Sequence, residues 1–147
     1  MTEMTGGCAC GQVRFTARNL APTEAYLCHC RMCQRAAGSI SLAMVNVKQV
    51  DVTWEREPNW YDSSPIARRP FCATCGTSLG FRFKEGSEWM DLTVASFDDT
   101  APFKPTSHFG AENIHRAWLN TEGLPEKRSD EHQPLMERWS KAGGAPA

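Results

Sequence analysis

Seven cysteines gathered into three short clusters constrain this 147-residue chain more than any other feature. Cys28-His29-Cys30-Arg31-Met32-Cys33 packs three thiols into six residues. Cys8-Ala9-Cys10-Gly11 precedes it, Cys72-Ala73-Thr74-Cys75-Gly76 follows it, and no cysteine lies elsewhere. Thiols kept only for packing would be scattered along apolar runs. A disulfide framework would leave one of seven unpaired. CxC and CxxC pairs at this density have the spacing of metal ligands.

Zinc held by thiolates is tetrahedral, so its ligand sulfurs sit roughly 3.8 Å apart. In an extended CxC, residues i and i+2 project to the same side and allow that approach. In CxxC a tight turn achieves it, with backbone N–H groups aimed at the sulfurs. Gly11 and Gly76 follow the outer pairs, where such a turn often needs positive φ. We therefore assign Cys8, Cys10, Cys72 and Cys75 to one closed, structural four-thiolate zinc site. Cys28, Cys30 and Cys33 remain, and three protein ligands with an open fourth position is the pattern of catalytic zinc. The expectation is two zinc ions per chain. His29, between two ligands of an extended CxC, should point away from the metal. A remote His108 or His115 completing a second closed site is the competing arrangement.

Composition limits the partners. Hydrophobic residues make up 41% of the chain and charged residues 22%, as in soluble globular proteins. A formal charge of -1 supplies no basic field for nucleic acid or anionic membrane. Seven thiolates on two zincs would move it to about -4, further from nucleic acid. The first residues carry no cationic, apolar leader, and no run of about 18 apolar residues exists, so a cytoplasmic location is expected.

The pattern along the chain reads as one mainly β domain over residues 1–147 with little helix. Gln12–Ala17 alternates as a strand. Met32–Ala37 reads as a helical turn capped by Gly38. Ser39–Val47 reads as a strand with Gln49–Arg56 as its partner, and Glu57–Arg69 as loop. Ser78–Lys84 and Trp89–Ala95 form a hairpin around Glu85-Gly86-Ser87, with Trp89, Asp91 and Thr93 alternating against Met90, Leu92 and Val94. The stretch containing Pro105, His108, His115 and Trp118 is irregular. Leu135–Ala142 is a terminal helix, and residues 143–147 are expected to be disordered.

Gly7-Cys8-Ala9-Cys10-Gly11-Gln12-Val13, Cys28 to Arg35 with Gly38-Ser39, and Phe71-Cys72-Ala73-Thr74-Cys75-Gly76-Thr77 resemble the glutathione-dependent formaldehyde-activating enzyme family, which also includes centromere protein V. Phe97-Asp98-Asp99, Pro105 to His108 and Trp118 are similar to its C-terminal pattern. The resemblance spans about residues 6–120. It implies an Mss4-like (β-tent) fold, a structural zinc on Cys8, Cys10, Cys72 and Cys75, and an active zinc on Cys28, Cys30 and Cys33. It also implies a carbon–sulfur lyase acting on the adduct of a small thiol such as glutathione with an aldehyde such as formaldehyde. Coordination would hold the thiol as thiolate, replacing a free pKa near 8.5.

The remaining candidates have competing readings. Ser39 and His108 are the candidate substrate-binding residues, against a strand-starting serine and a satisfied histidine. Asp98 and Asp99 form either a general base or an Asx turn. Arg68-Arg69 either binds a substrate carboxylate or is solvated. Trp60 and Trp118 could wall a cleft, with Trp54, Trp89 and Trp139 mostly in the core. Two non-enzymatic alternatives stay open: a zinc-binding module for a protein partner, and a zinc or thiol sensor.

Overall fold

A computed structural model describes residues 2–144. The chain divides into two compact units, Met1–His115 and Arg116–Ala147.

The first unit is built of strands. In chain order they are β1 (Thr2–Gly7), β2 (Arg14–Leu20), β3 (Tyr26–Cys28), β4 (Leu42–Lys48), β5 (Val52–Arg56), β6 (Asn59–Ser64), β7 (Ala67–Phe71), β8 (Gly80–Phe83), β9 (Trp89–Thr93) and β10 (Ser107–Phe109). A single α-helix, α1 (Arg31–Ala37), interrupts them, and Gly38 caps it in the left-handed conformation. Three strands form one sheet in the order β1-β2-β5, and seven form another in the order β10-β3-β4-β9-β8-β7-β6. Pairing is antiparallel except for β10 beside β3, which is parallel.

The alternation of β2 accounts for its burial. Phe15, Ala17 and Leu20 are fully buried among Val45, Val47, Met90 and Leu92. Each such aliphatic or aromatic side chain contributes about 1.5–3 kcal/mol when removed from water. Phe15 meets Trp54 and Phe97 edge-on, at centroid distances of 5.5 and 5.2 Å, the orientation favoured by the ring quadrupoles.

Two sequence expectations are corrected. Gln49–Arg56 is not the partner of the strand before it. Its strand portion, β5, pairs with β2, and β4 instead lies between β3 and β9. Glu57–Arg69 is not a loop: β6 and β7 form an antiparallel hairpin there. The prolines that suggested a loop, Pro58 and Pro65, fall just before β6 and in the turn between β6 and β7, where no strand N–H is needed. The hairpin of β8 and β9 is as expected.

The second unit contains α2 (Gln133–Ala142), matching the terminal helix, with Gly143 as its left-handed cap. Of the tail expected to be disordered, residues 145–147 lie outside the described residues. Among the described residues no helix is long and apolar enough to cross a membrane.

Candidate active site

The first and third cysteine clusters meet. Sγ atoms of Cys8, Cys10, Cys72 and Cys75 all lie within 4.8 Å of one another. Cys8 and Cys10 are 3.6 Å apart, and Cys10 and Cys72 are 3.7 Å apart, close to the separation expected around one tetrahedral ion. Gly11 and Gly76 both take φ +80, as the turns after these pairs require. Val13 N–H donates to the Cys8 sulfur at 3.2 Å. Thr77 Oγ1 lies 3.1 Å from Cys75 Sγ, and this contact leads in drawing the Cys75 thiol down to about 5.

Cys28, Cys30 and Cys33 form the second group, again within 4.8 Å of one another. Cys28 closes β3, Cys30 caps α1, and Cys33 lies in its first turn, so one short strand-to-helix passage supplies all three. Cys28 and Cys30 sulfurs are 3.6 Å apart, and Cys33 N–H donates to the Cys30 sulfur at 3.3 Å. Hydrogen bonding from Cys28, aided by Arg69, draws the Cys33 thiol down to about 5. The same pairing pushes the Cys28 thiol up. Both groups have the soft sulfur donors and the compactness that zinc requires.

Among the described residues no histidine or carboxylate joins either group. His29 is buried and turned away: its Nε2 lies 2.8 Å from His108 Nδ1, and its N–H donates to Phe109 O at 2.8 Å. His108 is carried in by the parallel register of β10, which sets it opposite Leu27 and Phe109 opposite Cys28. The chain can come this close because Gly110 has no side chain. A Cβ there would lie 2.7 Å from the backbone nitrogen of Cys30.

A cavity of about 460 Å³ opens onto the three-cysteine group, lined also by Tyr26, Arg69, Phe81, Asp91 and His108. Arg69 is 2% exposed, donates to the Cys33 sulfur at 3.4 Å and lies over the Phe81 ring at 5.1 Å. Asp91 accepts from Asn46 Nδ2 at 3.1 Å and from the Tyr26 hydroxyl, and burial raises its pKa.

A model of the glutathione-dependent formaldehyde-activating enzyme family matches residues 3–113, a stretch that contains all seven cysteines. The chain belongs to this family. A further similarity is to an uncharacterized lyase of Schizosaccharomyces pombe, 31% identical over 86 residues. The match covers 58% of this chain and 62% of that relative, so the chain spans less than two thirds of the relative's length. In fold, this family member is similar to a Rhodobacter sphaeroides protein of known crystal structure, with a TM-score of 0.59 and 20% sequence identity. That comparison covers 71% of this chain and 99% of the other.

Within this member of the formaldehyde-activating family, the other candidates separate. Ser39 is exposed and lines a different depression, with Ser41, Thr77, Thr93 and Ser96. Asp98 accepts from Arg14 and Thr5, joining β1 to β2, and Asp99 accepts from Ala101 N–H at 3.0 Å as an Asx turn. Trp60 packs beside Arg68 and Arg82 at 5.7 and 4.3 Å, away from the cavity. Trp118 belongs to the second unit. Arg68 pairs with Asp62 at 3.2 Å. Arg69 is the reverse of a solvated loop residue. Asp91 went unselected because strand alternation alone does not tell which face borders a cavity.

Proposed function

We propose that this chain is a zinc-dependent carbon–sulfur lyase that makes and breaks the adduct of a small thiol with an aldehyde. Glutathione is the thiol named in the family description, and formaldehyde the aldehyde. The observation that carries the reading is the three-cysteine group at the floor of a cavity, in a chain that also brings four further cysteines together elsewhere. Cys8, Cys10, Cys72 and Cys75 would hold a structural ion. Cys28, Cys30 and Cys33 would hold the active one. When bound, that zinc supplies a positive centre that keeps a substrate thiol in its nucleophilic thiolate form.

The reaction balances without oxidant or reductant. The thiolate sulfur forms a bond to the carbonyl carbon, the C=O π pair moves to oxygen, and oxygen takes a proton. The reverse returns the proton and breaks the C–S bond. Arg69 Nη1, buried and without a hydrogen-bond partner among the described residues, is the donor for that oxygen as its charge develops. His108 lines the same cavity and is oriented through His29, which suits it to position the substrate or pass the proton. The apolar walls keep bulk water from competing for the carbonyl.

Zinc content per chain, measured with and without Cys30→Ser, together with an assay of adduct formation, tests the reading. Two zincs falling to one, with loss of thiol-dependent adduct formation, is the expected result. Two tightly held zincs and no thiol-dependent change in coordination would refute it.

A further inference from the structure

We infer that the thiol taken by this cavity carries an apolar organic group, aromatic or branched aliphatic, and is not the charged tripeptide glutathione. The inference rests on the proposed thiol–aldehyde chemistry and narrows its substrate. The walls are Met32, Met44, Ile66, Phe81, Phe83 and Phe109, arranged around the three sulfurs. Met44 and the Cys28 and Cys33 sulfurs form a buried floor. Met32, Ile66, Phe83 and Phe109 stand at the mouth with 45–66% of their surface exposed. A soluble domain rarely leaves four such side chains around one opening unless something apolar enters it. An opening of about 460 Å³ that ends on reactive sulfurs has the size of a small-molecule site.

Charge points the same way. Glutathione carries two carboxylates and an ammonium group, each of which needs a partner when it leaves water. Arg69 is the one Lys or Arg lining this cavity among the described residues, and with Nη2 on the Cys33 sulfur only its Nη1 is left to face two carboxylates. Asp91, a carboxylate on the same lining, would repel both carboxylates of the peptide. The neighbouring cations are directed elsewhere. Arg68 pairs with Asp62, Arg82 donates to Gln49 at 3.3 Å and stacks over Trp60, and Arg31 donates to Gln34. With one cationic side chain on the lining, a peptide thiol would leave at least one of its two carboxylates against methionine and phenylalanine. A benzyl or branched alkyl thiol would leave no charge unpaired and would cover the exposed rim.

Cobalt-substituted full-length protein provides the test, because a thiol joining the three-cysteine centre adds sulfur-to-cobalt charge-transfer absorption. Benzyl mercaptan and glutathione are titrated in parallel. The expected result is at least tenfold tighter binding of benzyl mercaptan. Placing an uncharged polar group on the exposed rim, by Phe83→Asn or separately Ile66→Asn, should reduce that affinity about tenfold while changing glutathione binding much less. Glutathione binding as tightly as benzyl mercaptan would overturn the inference and leave the thiol chemistry standing. So would an unchanged benzyl mercaptan affinity in both rim variants. If neither thiol alters the spectrum, the inference and the proposed chemistry both fall.

Discussion

Arg69 donates to the Cys33 sulfur at 3.4 Å from a position that is 2% exposed. A buried guanidinium is stable only beside compensating negative charge, and Cys33 supplies it as a thiolate. The pairing also counters the surplus negative charge that three thiolates would place on one divalent ion. Arg69→Met should therefore weaken zinc binding at the three-cysteine group about 10–100-fold, the usual effect of losing a partner to a metal ligand. The four-cysteine group should be unaffected. Competition with a chromophoric chelator separates the two, and Arg69→Lys should recover part of the loss. Equal retention of both ions in Arg69→Met would show that the contact is incidental.

Gly110 sits at φ +66 with its α-carbon turned toward the Cys30 backbone. Gly110→Ala introduces both left-handed strain and a clash with a backbone atom that cannot swing aside, together costing roughly 1–3 kcal/mol. A fall in Tm of roughly 5–10 °C is expected. Zinc should be lost from the group containing Cys30 before the other. Thermal denaturation and metal analysis on the same samples check this; an unchanged Tm would mean that β10 is not held against the CxC as described.

Asp98 accepts from Arg14 Nη1 at 2.8 Å and from Thr5 Oγ1 at 2.6 Å, and these bonds, Arg14's foremost, lower its pKa from 3.8 to about 2. Because the folded value is depressed, its contribution is fully present above pH 3.8 and is lost as pH falls through about 2. Asp98→Asn should thus lower Tm at neutral pH by about 2–4 °C, the modest effect of a half-exposed pair. The difference from wild type should vanish at the acid end. A difference that is undiminished at pH 2 would assign the effect to packing. Neither result should alter the cavity, which Asp98 does not line.

Much of the cysteine arrangement could be read from local spacing. Cys8, Cys10, Cys72 and Cys75 announce themselves because CxC and CxxC bring sulfurs together within a few residues, and Gly11 and Gly76 mark the turns. The cap at Gly38 and the hairpin of β8 and β9 are likewise local. What escaped the sequence is non-local. Pairing of β5 with β2 rather than β4 is decided by which apolar faces cover Phe15 and Trp54. The strand at Ser107–Phe109 exists because β3 offers it a free edge, and no periodicity in three residues can reveal that. Arg69 resembled its neighbour Arg68 in sequence, yet alternation along β7 sends Arg69 inward to Cys33 and leaves the half-buried Arg68 on Asp62. Asp91 was visible as a polar residue in a strand, but the cavity beside it is formed by residues from distant parts of the chain.

The central claim is that Cys28, Cys30 and Cys33 leave one coordination position for a substrate thiol. Zinc-edge X-ray absorption of the fully loaded protein, in buffer free of thiols, measures it most directly. Four sulfurs at one site and three at the other predict an average of about 3.5 per zinc, rising to about 4 when benzyl mercaptan or glutathione is added. An average of four sulfurs before any thiol is added, or a value that neither thiol changes, would contradict the account.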